Sequence, residues 1–143
     1  MRVDNRSISR FLSQSELTFV IPVYQRNYDW KPNQCKQLII DIGNIVNTRN
    51  NHFIGTVCIK PEGRYSCVII DGQQRIATIL IMFKALYDLT DDDKLKKKIK
   101  ERFLVDEYSR DDTKLRLKPI KKDEAVFTKL IKNDDFNEKD FDV

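Results

Sequence analysis

Asp71, Gly72, Gln73, Gln74 and Arg75 are the residues of this chain best equipped for chemistry. They lie wedged between two apolar runs, Cys67 to Ile70 and Ile76 to Phe83. An apolar run that stops at a Gly turn and resumes as a long apolar segment predicts a strand opening directly into a buried helix. Such a junction favours anions, because helix N-terminal N–H groups and the positive end of the helix dipole point at the turn and Gly72 permits close backbone approach. Arg75 adds a bidentate donor for phosphate, and the two glutamines add neutral donors and acceptors. Asp71 can hold a ribose hydroxyl, a metal-bound water or its own arginine.

Plain architecture competes with that reading. Asp-Gly is a common turn dipeptide, and Asp71 can simply cap the helix that follows. Three long polar side chains between two apolar segments nevertheless exceed what a structural turn requires.

A second polar cluster lies upstream, in Phe19-Val20-Ile21-Pro22-Val23-Tyr24-Gln25-Arg26-Asn27-Tyr28-Asp29-Trp30. Pro22 biases Ile21 towards an extended conformation, which ends a strand there. The aromatic rings beside Arg26 can stack on a base, clamp a phosphate or sandwich the guanidinium. Equally, Tyr24, Tyr28 and Trp30 can be core-edge residues whose polar tips reach water.

Three blocks in this order, Ile21-Pro22-x-Tyr24-Gln25-Arg26-x-Tyr28-x-Trp30, then His52-Phe53-x-Gly55, then Asp71-Gly72-Gln73-Gln74-Arg75, resemble the amino-terminal domain of GmrSD-type, modification-dependent DNA restriction proteins. The resemblance covers roughly residues 7 to 89 and fades beyond. That domain is in turn similar to the ParB/sulfiredoxin fold, whose members bind nucleoside triphosphates. The resemblance implies nucleotide binding and hydrolysis at Asp71, Gly72, Gln73, Gln74 and Arg75, with Tyr24, Gln25 and Arg26 facing the same pocket and Mg²⁺ as a companion of the nucleotide. It also implies a nuclease domain or subunit of HNH type as a partner. HNH chemistry needs a histidine base and another histidine near the metal. His52 is the only histidine, so strand cleavage of that type is excluded for this chain. No nucleophile-elbow motif supports a Ser-His-Asp triad.

At 143 residues the chain is long enough for one domain core, burying about 70% of its unfolded surface. No apolar run reaches membrane-spanning length and Met1 opens no basic-then-apolar leader, so a cytoplasmic protein without a membrane partner is expected. Cys35, Cys58 and Cys67 are odd in number and without CxxC spacing. Reduced core thiols fit them better than disulfides or a zinc site.

The net charge of +4 is unevenly spread: +1 over residues 1–93, +7 over 94–122 and −4 over 123–143. Lysines 94, 96, 97, 98 and 100 read as the solvated face of a helix. The competing reading has Lys96, Lys97 and Lys100 tracking a DNA backbone without reading its sequence.

Periodicity supplies the elements. Helices are expected over Ser7–Ser13, Pro32 to about Asn47 and Ile76–Leu89, with strands over Thr18–Ile21, Phe53–Lys60 and Tyr65–Ile70, the last two joined through Pro61-Glu62-Gly63-Arg64. In the second helix Cys35, Leu38, Ile39, Ile42, Ile45 and Val46 form one apolar face. Asp91 to Asp93 cap a helix with Leu95, Ile99 and Phe103 on one stripe, a small hairpin surrounds Ser109 to Thr113, and a last amphipathic helix spans Glu124–Lys132. The acidic residues after Asn133 end in no recognisable element, as expected if a longer protein continues.

The expectation is therefore an α+β fold, a small mixed sheet with packed helices, ParB/sulfiredoxin-like. Residues 1–90 form the nucleotide-binding core and 91–143 a mainly helical, charged extension. The expected role is the nucleoside triphosphate-binding, regulatory part of a DNA restriction or phage-defence protein. In any hydrolysis Arg26 and Arg75 would stabilise phosphate charge while Asp71 orients water or Mg²⁺. No Walker-type Gly-x-x-x-x-Gly-Lys is present, so such hydrolysis would differ from that of P-loop enzymes. The alternatives are a non-catalytic DNA-binding module that reads the backbone or a modified base, and a nucleotide switch without turnover.

Overall fold

The strand–turn–helix junction sits at the centre of the molecule. A computed structural model of the chain describes residues 3–22, 28–46, 48, 53–111 and 113–132. Tyr24, Gln25, Arg26 and His52 lie outside the described residues.

Strand β1 (Thr18–Val20), the edge strand β2 (Cys58–Glu62), β3 (Ser66–Asp71) and the short β4 (Leu117–Lys118) form one mixed sheet in the order β2-β3-β1-β4. β1 runs parallel to β3, pairing Phe19 with Cys67, and parallel to β4, pairing Phe19 with Leu117; β2 and β3 make the antiparallel hairpin. Cys67, Val68 and Ile69 are successive and all buried, the signature of a strand covered on both faces. The expected strand from Phe53 shortens to start at Cys58. Residues 53–57 run irregularly beside the β3–α3 turn, where their carbonyls bond side chains of the next helix instead of a ladder. Pro61 belongs to β2 rather than to the turn, which an edge strand tolerates because one side needs no N–H donor.

Helix α1 (Ile8–Leu12) starts at Ser7, whose hydroxyl accepts from the Arg10 N–H. Helix α2 (Pro32–Val46) precedes the hairpin in the chain and α3 (Gln73–Leu89) follows β3. Helix α4 (Asp93–Ile99) is capped by the Asp92 carboxylate and runs into a π-helical turn, Lys100–Leu104, while α5 spans Lys121–Lys132. The wide turn, closed by Val105 N–H donating to Lys100 O at 2.9 Å, directs both Phe103 and Leu104 inwards. Phe103 stacks on Phe83 with centroids 3.9 Å apart.

Two apolar expectations fail on packing. Of the predicted α2 face only Leu38 is buried; Ile39 and Val46 are 53% and 70% exposed. The sheet and α3 already fill the core, and α2 reaches it with one stripe narrower than its apolar periodicity. Similarly, α3, expected as a buried helix, is not buried throughout: Leu86 and Leu89 are exposed. The helix also buries Lys84, whose ammonium lies 2.6 Å from Asp88 and over the Tyr87 ring. Cys35 and Cys67 are half-buried and buried, but Cys58 is exposed on the edge strand rather than a core thiol.

Described residues beyond 90 are stitched into this core. β4 closes the sheet, Val105 bridges Leu115, and the buried Arg116 donates to Gln14 O at 2.8 Å and Glu101 O at 2.6 Å. Asp106, buried beside it, accepts from the Glu16 N–H at 2.6 Å and the Tyr108 N–H at 3.1 Å.

Candidate functional site

The β3–α3 turn is built around Gly72, which is the N-cap of α3 with φ 94° and ψ 9°. A left-handed residue is sterically open only to glycine at small cost. A Cβ there would also lie 3.0 Å from Val57 Cγ2 and 3.4 Å from Thr56 O. Asp71 therefore does not cap the helix: it is the exposed last residue of β3, opposite Cys58. The N-cap of α3 is thus a glycine, which offers no side chain of its own to the first turn, and the positive end of the helix dipole points at the junction.

Gly72→Ala should cost about 1–3 kcal/mol of stability, the range for a non-glycine residue held in a sparsely populated backbone region. Urea unfolding measures it, and a change below about 0.5 kcal/mol would show that the turn relaxes to an ordinary φ.

Residues from all three motif blocks meet at the first two turns of α3. Gln73 and Gln74 are buried, and Gln74 Oε1 accepts the Asp29 N–H at 3.0 Å. The Thr78 hydroxyl donates to Gln74 O at 2.7 Å, and Tyr28 Oη lies 2.8 Å from the same hydroxyl. Either hydroxyl of the Tyr28–Thr78 pair can donate. From the middle block come carbonyls: Arg75 Nη1 donates to Ile54 O at 3.2 Å and Nη2 to Thr56 O at 2.8 Å.

Tyr28 is held to the rest of the fold from both ends, its N–H donating to Asp123 Oδ2 at 2.9 Å and its hydroxyl lying 3.5 Å from Cys35 Sγ. Its phenol is pushed up to about 12, chiefly by burial and further by Cys35, with Thr78 opposing. Because the folded value exceeds the unfolded one near 10, the contribution is fully present below pH 10 and is lost as pH rises towards 12. An ultraviolet titration of the five tyrosines should therefore show one transition displaced upwards and absent in Tyr28→Phe. Five coincident transitions would contradict the shifted Tyr28 phenol.

The structure thus joins the Tyr28-Asp29 end of the first block, the Ile54 to Thr56 backbone and the Gln73 to Arg75 turn; Tyr24, Gln25 and Arg26 are outside the described residues. Thr78, Asp123 and the carbonyls of Ile54 and Thr56 were missed by sequence reasoning. Thr78 carried a signal, a hydroxyl one helical turn after Gln74, where back-bonding to the i−4 carbonyl is common; bare carbonyls and the distant Asp123 carried none.

The basic run sits elsewhere, on α4 and the π-helical turn. Lys97 and Lys100 are exposed, while Lys96 is half-buried with its ammonium 5.1 Å from the Tyr87 ring centre. Among the described residues no group of three or more His, Cys, Asp or Glu side chains could hold a metal ion, and no helix is long and apolar enough to cross a membrane.

No curated protein matches the chain. The family whose model does match is described as GmrSD restriction endonuclease, N-terminal domain, and the match runs over residues 8–143. With the three blocks of that resemblance gathered around one helix N-terminus, the chain belongs to the GmrSD N-terminal domain family and is part of a restriction protein.

Proposed function

We propose that this domain binds a nucleoside triphosphate at the β3–α3 turn and serves as the regulatory part of its restriction protein. What carries the reading is that residues of all three motif blocks converge on the glycine-capped start of α3, with Arg75 held in place beside it. Backbone N–H groups of the turn receive the phosphates, and Arg75 clamps them with the guanidinium N–H groups not spent on Ile54 and Thr56. Gly72 allows the approach, and Gln73 and Gln74 shape the floor. Tyr24, Gln25 and Arg26 belong to the same proposed pocket. Where Mg²⁺ accompanies the nucleotide, Asp71 would hold it through water together with the phosphates, in the manner of sites that use one or two carboxylates and substrate oxygens. The same carboxylate would orient the water of a hydrolytic step, for which Arg75 and Arg26 supply charge stabilisation.

Arg75→Ala should weaken triphosphate binding by about 1.5–3 kcal/mol, the range for a hydrogen bond to a charged group. Calorimetric titration of the full chain with ATP and Mg²⁺ decides it. Absence of binding by the wild-type chain to any common nucleotide at millimolar concentration would refute the nucleotide reading.

The DNA-binding alternative is favoured only by the exposure of Lys97 and Lys100 on neighbouring turns. It requires an affinity that falls steeply with salt, and a Lys96, Lys97 and Lys100 triple alanine variant whose salt slope is flatter by up to about 3. The expected result is weak, salt-sensitive binding at most. Tight binding at physiological salt, lost in the triple variant, would overturn the nucleotide reading in favour of DNA.

A further inference from the structure

The glycine of the middle block is packed differently from other glycines of the chain. At Gly43 and Gly63 an added Cβ would meet nothing within 4 Å. At Gly55, with φ 119°, it would lie 1.8 Å from Arg75 Nη1, 2.8 Å from Cζ and 3.5 Å from Nε. The guanidinium therefore occupies the space a side chain at 55 would need. It is held there by the carbonyls of the residues on either side, Ile54 and Thr56. Gly72 at the start of α3 is close-packed against the same segment, where an added Cβ would lie 3.0 Å from Val57 Cγ2 and 3.4 Å from the Thr56 carbonyl. The segment and the turn thus pack closely, with the Arg75 side chain lying along Gly55.

We infer that Gly55 is a positioning residue, acting through Arg75: the Ile54 to Thr56 strap fixes the guanidinium so that its remaining N–H groups are aimed at the ligand of the β3–α3 turn. This rests on the reading of that turn as a triphosphate site. A long flexible arginine loses much rotamer freedom when it clamps a ligand, and two carbonyl partners make that sacrifice before the ligand arrives. A side chain at 55 evicts the guanidinium, whose far end can swing away, and adds the backbone strain of a non-glycine residue at φ 119°, which is the same whether or not Arg75 is present. The fold should survive the substitution while the aim is lost.

The test is Gly55→Ala in the full chain, compared with Arg75→Ala and with the double variant, titrated with ATP and Mg²⁺ and with AMP. If Arg75→Ala weakens ATP binding by about 10- to 150-fold, Gly55→Ala should come within a few-fold of it, and the double variant should be no weaker than Arg75→Ala alone. The loss should be larger for ATP than for AMP, a dependence on phosphate number that a merely structural glycine would not produce. Arg75→Lys keeps the charge but cannot span both carbonyls, and it should fail to restore wild-type affinity. Gly55→Ala binding ATP like wild type, or effects of the two substitutions that multiply independently, would overturn the inference. Thermal unfolding without ligand separates the positioning claim from the nucleotide reading. The Tm loss caused by Gly55→Ala should be smaller in the Arg75→Ala background, where no guanidinium is left to evict; an equal loss in both backgrounds sinks the positioning claim even if ATP binds. Should wild type bind no triphosphate while the Tm effects are coupled, the nucleotide reading falls and the positioning of Arg75 by Gly55 stands.

Discussion

Arg116→Ala is expected to lower the unfolding free energy by about 3–5 kcal/mol, the range for breaking a buried ion pair by removing one partner. Arg116 and Asp106 are both almost wholly inaccessible, with Nη1 and Oδ2 4.0 Å apart. Burial pulls the guanidinium below its ordinary value while the Asp106 carboxylate opposes that shift. Truncation would strand the Asp106 charge and release the carbonyls of Gln14 and Glu101, which tie the segment after α1 to the π-helical turn. Nε is already buried without a hydrogen-bond partner among the described residues, so the site has little slack. Urea unfolding gives the value directly. A loss below about 1 kcal/mol, the scale of an exposed pair, would show that the pair is hydrated in solution. An Arg116→Met, Asp106→Leu double variant should recover much of the loss, because an apolar pair removes both desolvation costs at once.

Phe19→Ala should be about as damaging, some 3–5 kcal/mol for emptying the space of a buried phenylalanine. Phe19 is 0% exposed, sits opposite both Cys67 and Leu117, and places its ring 5.0 Å from that of Phe11. It is therefore the one side chain on the central strand flanked by β3, β4 and α1 together, and a cavity there cannot be filled by one neighbour moving in. Against a usual total stability of about 5–15 kcal/mol, the variant should be partly unfolded at 37 °C, with Leu replacing Phe far better tolerated than Ala. Circular dichroism melts check this. A Tm close to wild type in Phe19→Ala would mean that β1 is not the strand around which the core forms.

Much of the fold was legible locally because its signals are local. Pro32 opening α2 and an aspartate of the Asp91 to Asp93 run capping α4 are statements about a few adjacent residues, and each holds in the structure. The hairpin of β2 and β3 and the helix after Gly72 followed from the same kind of signal. Burial was less legible. The α2 periodicity looked like a full apolar face, yet Ile39 and Val46 stay exposed because how much of a stripe is covered depends on how much core remains to cover it. The motif resemblance was strongest up to residue 89, whereas the family match continues to residue 143.

By itself the sequence determined the punctuation: where strands stop, where helices start, and that the Asp71 to Arg75 turn joins a buried strand to a buried helix. It also carried the family, through the order of three short blocks. Only the tertiary structure decided what those blocks do to one another. Cysteine, threonine and aspartate partners for Tyr28 lie 7, 50 and 95 positions away, and Arg75 finds its acceptors in the carbonyls of Ile54 and Thr56, about twenty residues upstream. A carbonyl is the same atom in every residue, so no residue type announces that it will serve as a ligand. Gly55 could be seen to lack a side chain, but that its empty side would be filled by a guanidinium is a property of two backbones brought into contact.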